Sequence, residues 1–143
     1  MKVRIAFVIL AGLWAVSLSQ SSLRAQAPKT VNDGVFTAEQ SKRGADTYAA
    51  NCASCHGGDL AGDGFAPALA GSDFASNWND LSVGDLFERM RISMPPNDPS
   101  KVPPQGKADI LAFVLDQNRY PAGKVELEAK TEVLKQIKIE MKK

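Results

Sequence analysis

The stretch Ala50–Gly71, ANCASCHGGDLAGDGFAPALAG, holds both cysteines and the single histidine of the 143-residue chain. They stand together as Cys52-Ala53-Ser54-Cys55-His56. Four chemistries could use such a cluster: haem attachment, zinc binding, a redox dithiol or a disulfide. A structural zinc site takes four ligands, usually cysteine and histidine, and the chain has only these three. A thioredoxin-like dithiol belongs in a βαβ setting, whereas no strand-like alternation of useful length occurs. A disulfide between Cys52 and Cys55 would close a very small loop and leave His56 without a purpose. Cys-x-x-Cys-His is the attachment pattern of a c-type haem. The two thiols add across the vinyl groups, and the adjacent histidine is held under the iron as an axial ligand.

With one histidine already committed, the second axial ligand must be Met90, Met94, Met141, a lysine or water. Met90 shares a helical face with Leu86 and Phe87, which suits a core role. Met141 lies in a charged C-terminal stretch. Met94 falls in RISMPPND, after the helical pattern ends, and Pro95 restricts the residue before it to extended backbone. Such stiffness suits a ligand delivered from a loop, so Met94 is the expected partner of His56 on the iron. If Met94 does not bind, the sixth site is open.

The rest of the chain reads as helices joined by long loops. Thr37 caps a helix over TAEQSKRGADTYAANCASC, and Gln40 three residues later completes a capping-box pattern. Gly44 and Tyr48, four apart, put a notch beside an aromatic knob and so prepare a close helix contact. Residues Gly57–Ala70 contain four glycines and a proline and predict a loop that wraps something. GSDFASNWND offers a Ser72 cap and a single turn, and SVGDLFERMRI a helix behind Ser82. The five prolines of SMPPNDPSKVPPQG argue against regular structure. GKADILAFVLDQNR carries an apolar stripe of Ile110, Leu111, Phe113 and Val114, closed by Pro121 and Gly123. The expected class is all-α, and loops of such length are usually functional.

At the other end, Lys2 and Arg4 precede an apolar run of about fourteen residues, Ile5–Leu18, followed by small and polar residues up to Ala27. This is the plan of a secretory signal peptide, residues 1–27, cleaved after Ala25 or Ala27. The run is short of the roughly twenty residues needed to span a bilayer, so membrane association is expected only if the segment is retained. Cleavage removes three basic residues and turns the formal charge of +1 into −2. That balance excludes an obvious nucleic-acid partner. Residues 28–35 read as a flexible leader and 36–123 as the domain. Residues 124–143, with six lysines and four glutamates, read as an amphipathic helical extension that either docks on an acidic partner or packs along the body.

These residues carry a resemblance. CASCHGGDLAGDGFAPALAG, FASNWNDLSVGDLFERMRISMP and DILAFVLDQNRYPAG together resemble a class I cytochrome c domain, in particular those associated with quinoprotein (PQQ-dependent) alcohol dehydrogenases. The resemblance implies three to five helices wrapped around one haem c, held through Cys52 and Cys55. It implies that the Pro67 carbonyl accepts from the ring of His56, and that Gly44 and Tyr48 cross Ile110 and Phe113. Leu69, Leu86 and Phe87 are then expected to line the haem pocket. Trp78 either donates to a haem propionate or is ordinary core. With His56 and Met94 both on iron, the expected function is that of a periplasmic one-electron carrier rather than an enzyme. It would work between a redox donor and acceptor, such as a quinoprotein dehydrogenase and a terminal oxidase, as acceptor or subunit of the former. A haem enzyme or gas sensor with an open sixth site is the alternative.

Overall fold

A computed structural model describes residues 29–141; the expected export segment lies outside them. The elements are β1 (Lys29–Thr30), a 3-10 turn (Val31–Asp33), α1 (Ala38–Asn51), α2 (Ala53–His56), α3 (Gly71–Trp78), α4 (Val83–Ser93), α5 (Pro104–Gln117), α6 (Thr131–Leu134) and β2 (Ile137–Lys138). The class is all-α, as the pattern predicts. The only sheet among the described residues is the two-residue parallel pair of β1 and β2. No helix of the described residues is long and apolar enough to cross a membrane.

The helix starts follow from side chains that satisfy orphan N–H groups. Thr37 Oγ1 accepts from the N–H of Gln40 at 3.1 Å, and α1 begins. Ser82 and Asp85 form a reciprocal capping box at the head of α4. Ser72 is not a cap: α3 starts at Gly71, one residue earlier, with no side-chain cap on Ala70. The proline-rich stretch also admits a helix that the sequence argues against. Pro104 occupies the first position of α5, where its missing N–H costs nothing because that group would be unpaired anyway.

α1 and α5 cross at Gly44. A β-carbon there would overlap the carbonyl oxygen of Asp109, so only hydrogen lets the two backbones meet. Beside the notch the Tyr48 and Phe113 rings pack with centroids 5.2 Å apart, and Ile110, Leu111, Val114 and Leu115 close the core. Asp109 is buried at the crossing and accepts from Arg43, Gln40 and Gln105.

Three further expectations change. Residues 29–35 are not a loose leader: β1 pairs with β2, and Val31 and Val35 are buried. The C-terminal extension is not an amphipathic helix. It forms one helical turn and a strand within a strap that buries Leu127, Leu134, Ile137 and Ile139. Local periodicity misreads it because its backbone groups pair across the chain. Asp80 N–H donates to Ile139 O, Ile139 N–H to Leu81 O, and Met141 N–H to Asn79 Oδ1. Gln40, finally, completes only half of a capping box. Its amide turns into the core and brackets Leu127, donating to its carbonyl at 3.0 Å and accepting from its N–H at 2.8 Å.

Candidate haem site

The Cys-x-x-Cys-His segment sits where α1 gives way to α2. Cys52 ends one helix and starts the next: its N–H donates to Tyr48 O, and its carbonyl accepts from Cys55 and His56 N–H. This tight turn leaves Cys52 half-buried, Cys55 exposed and both thiols free. Burial, with a smaller contribution from Cys55, pushes the Cys52 thiol up, and the positive charge of Lys107 partly opposes the rise. Tyr48 fixes the segment from below by donating from its hydroxyl to Gly57 O at 2.6 Å. Burial, followed by the negative charges of Cys52 and Asp59, raises that phenol to about 12, so it stays a donor at neutral pH.

The loop after His56 folds back on it. Gly62 N–H donates to His56 O at 2.9 Å, and the φ of +75° at Gly62 turns the chain where a β-carbon would meet Ala66 O at 2.5 Å. Asp63 then accepts from Phe65 and Ala66 N–H. The turn brings the Pro67 carbonyl to 2.9 Å from His56 Nδ1. With Nδ1–H donating there, Nε2 is the free ring nitrogen available to a metal. Beyond Pro67, Leu69 N–H donates to Leu60 O. Asn118 of α5 donates to Leu69 O at 2.9 Å and accepts from Gly71 N–H at 3.1 Å.

A cavity of about 440 Å³ opens over His56. Cys52, His56, Pro67 and Leu69 line it, together with Leu86, Met90 and Met94 and with Trp78 and Leu81. Ile110, Leu111 and Val114 of α5 complete the lining. A smaller space of about 290 Å³ adjoins it, lined by Cys55, Phe65 and Pro95 together with Cys52, His56, Pro67 and Met94. The structure thus gathers Cys52, Cys55, His56, Pro67, Leu69, Trp78 and Met94 around these two adjoining spaces. Phe87 is not among them: it is 1 % exposed and packs in the core behind α4.

Both α4 methionines reach the slot, but differently. Met90 lies within the helix and lines only the larger space. Met94 is the C-cap residue, with extended backbone (φ −129°, ψ 134°) and a cis peptide bond to Pro95, and it borders both spaces. Met141 is far from either, its sulfur accepting from the Tyr120 hydroxyl at 3.7 Å. Arg89 supplies a cation on the wall. The sequence reading missed it, although it stands on the same face of α4 as Leu86 and Met90, three residues after the first.

The residues present fit a haem: a mostly apolar lining that includes two thiols, an imidazole and a thioether, with a cation for a carboxylate. A family model described as cytochrome c oxidase, cbb3-type, subunit III matches residues 39–114, more than half of the chain. The chain belongs to this c-type cytochrome family. It is therefore a class I c-type cytochrome domain, a haem-based electron-transfer protein whose fold implies covalently bound haem c and redox partners. No curated protein and no solved structure matched the cytochrome. The family match begins inside α1 and ends inside α5, so the C-terminal strap lies beyond it.

Proposed function

We propose that the cytochrome is an exported, periplasmic one-electron carrier with a single haem c, attached through Cys52 and Cys55 and ligated by His56 and Met94. The observation that carries this reading is that the His56–Pro67 pair and Met94 line one and the same cavity. When bound, the haem supplies an iron centre that changes by one electron. A histidine and methionine pair favours the reduced state and raises the potential into an electron-transfer range.

The protein's part is to hold that centre still and dry. Pro67 orients His56 and makes its Nε2 a better donor. Leu69, Leu86, Ile110 and Val114 exclude water, which raises the cost of the extra positive charge on oxidised iron. Trp78, by its indole N–H, and Arg89, by its charge, would meet haem carboxylates; both line the cavity. Cys55, Phe65 and Pro96 mark the open rim; Phe65 is fully exposed, and electrons enter and leave there.

The domain proposed to do this is residues 36–123, after an export segment at 1–27 that supports the periplasmic location. Similarity of the three quoted segments to cytochromes of quinoprotein dehydrogenases supports such an enzyme as donor, with this chain as its acceptor or subunit. The matched family is described as a cytochrome c oxidase subunit, which supports a terminal oxidase as acceptor.

An optical spectrum tests the ligand set. The oxidised protein should show the weak long-wavelength sulfur-to-iron band, and the reduced protein should resist carbon monoxide. Met94→Ala should lose the band and bind carbon monoxide, whereas Met90→Ala should keep the band and lose stability. Identical spectra for the wild type and Met94→Ala would overturn the assignment and leave the enzyme or sensor reading standing.

A further inference from the structure

Lys107 is out of place by the usual rules. It stands in the first turn of α5, where the helix dipole disfavours a cation, and it is 2 % exposed. No carboxylate lies within ion-pair distance of it among the described residues. Instead its ammonium donates to three carbonyl oxygens: Pro99 at 2.7 Å, Met90 at 3.0 Å and Arg91 at 3.2 Å. A lysine has three N–H donors and no acceptor, so the group is fully satisfied. That is the condition under which a buried charge is tolerated. Burial, and next the charge of Arg91, still press its pKa downward. An apolar side chain would fill the space without that cost, which leaves the three carbonyls as the reason for a lysine.

Those carbonyls belong to the two ends of one loop. Met90 and Arg91 are in the last turn of α4, where exposed carbonyls make the negative end of the helix. Pro99 is on the far side of the turn that follows. Met94 lies between them, and its own N–H donates to the same Met90 carbonyl at 3.0 Å. The other hydrogen bonds of residues 94–101 are all local: Asp98 N–H to Pro95 O, Lys101 N–H to Asp98 O, and Ser100 to the Asp98 side chain. Among the hydrogen bonds of the described residues, Lys107 alone ties this loop to the α1–α5 core.

We propose that Lys107 is the positioning residue of the methionine side of the site, clamping both ends of the 90–99 loop so that Met94 is held against dissociation. The inference rests on the reading of Met94 as an iron ligand. It adds that a residue thirteen positions further along, in another helix, governs how tightly that ligand is kept. The same buried positive charge lies close enough to act on Cys52, and it should disfavour the more positive, oxidised state of the haem.

The test is the rate at which cyanide binds the oxidised, haem-loaded protein, a step gated by departure of the methionine. Lys107→Met, which keeps length and volume but removes the donors and the charge, should bind cyanide at least about tenfold faster. Tenfold corresponds to the loss of one charge-assisted hydrogen bond. It should also have a weaker sulfur-to-iron band and a lower midpoint potential. Val31→Ala, in the core far from this loop, controls for stability: it should lower Tm without speeding cyanide. If Lys107→Met does not yield loaded protein, Lys107→Gln, which keeps two donors but no charge, should give an intermediate rate. In a Met94→Ala background, removal of Lys107 should change the cyanide rate less than twofold.

A wild-type rate in Lys107→Met or Lys107→Gln, with the band intact, overturns the clamp while leaving Met94 as ligand. A speed-up no greater than that of Val31→Ala at equal loss of Tm overturns it as well. Wild-type protein that lacks the band and binds cyanide as fast as Met94→Ala overturns the ligand reading, and the clamp with it.

Discussion

The two sides of the slot are built by different means. On the histidine side, attachment residues, proposed ligand and ligand-orienting carbonyl lie within sixteen residues, Cys52–Pro67. Short-range bonds place them: His56 N–H to Cys52 O, Gly62 N–H to His56 O, and His56 Nδ1–H to Pro67 O. On the methionine side, Met94 stands at the open end of α4, and the order of its loop comes from Lys107 in another helix. A site assembled from neighbours tolerates loosening elsewhere in the molecule; a site held from a distance does not. The methionine side should therefore fail first when the contacts that hold α4 and its loop are loosened.

The sharpest way to break this comparison is to remove the strap. Truncation after Gly123 deletes Leu127, Leu134, Ile137 and Ile139, all buried. Each contributes about 1.5–3 kcal/mol of burial, against a total stability of about 5–15 kcal/mol and before the ordering entropy of the segment is subtracted. The strap touches α4 through Thr131, whose hydroxyl donates to Glu88, and touches Leu81 through Ile139. Among the described residues it makes no hydrogen bond to the loop from Gly57 to Pro67. Tm should fall by at least about 10 °C, and below the transition the sulfur-to-iron band should weaken while the haem stays attached. An unchanged Tm, or a histidine side that loosens first, would contradict the division.

A smaller perturbation probes a long-range tie of the segment that follows Pro67. Asn118 fastens Leu69 and Gly71 to α5. Asn118→Ala should cost about 2 kcal/mol, the loss of hydrogen bonds that leave a partly buried carbonyl unpaired, seen as a lower Tm. Cyanide binding should change little, because Met94 is untouched. Acceleration as large as that in Lys107→Met would mean the two sides yield together and are one mechanical unit.

The same contrast explains what could be read from the chain alone. Thr37, Ser82 and the Cys-x-x-Cys-His motif act on neighbours three or four residues away, so their roles are visible in the text. Gly44 is legible because a notch four residues from an aromatic asks for a helix to fill it. The strap is not legible. Leu127, Leu134 and Ile137 stand near helical spacing, yet Ile139 is buried as well and Met141 is exposed, because the partners are β1 and residues 79–81 rather than a helix face. Lys107 carries no local signal, since nothing near it in sequence shows that three carbonyls await it. Gln40 misleads for a related reason: Leu127, not the helix start, takes its amide.

The smallest effect concerns the crossing that supports both sides. Burial pushes the Asp109 carboxyl up, but hydrogen bonds from Arg43, Gln105 and Gln40, with the charge of Arg43, overcome it and hold it below the ordinary carboxylate range. A group whose pKa is lower folded than unfolded stabilises fully above its unfolded value, about 3.9 for aspartate. That contribution is lost as pH falls through the folded value. Tm of the wild type should therefore decline more steeply than that of Asp109→Asn below about pH 4, since the variant has no proton to take up at this site. Glu88, held at about 2 mainly by Arg91, titrates in both proteins and drops out of the difference. Because Asp109 sits under both halves of the site, acid should weaken the sulfur-to-iron band and the global fold at the same pH. A band lost well above the pH at which Tm begins to diverge would place the acid-sensitive contact in the methionine loop instead of the crossing.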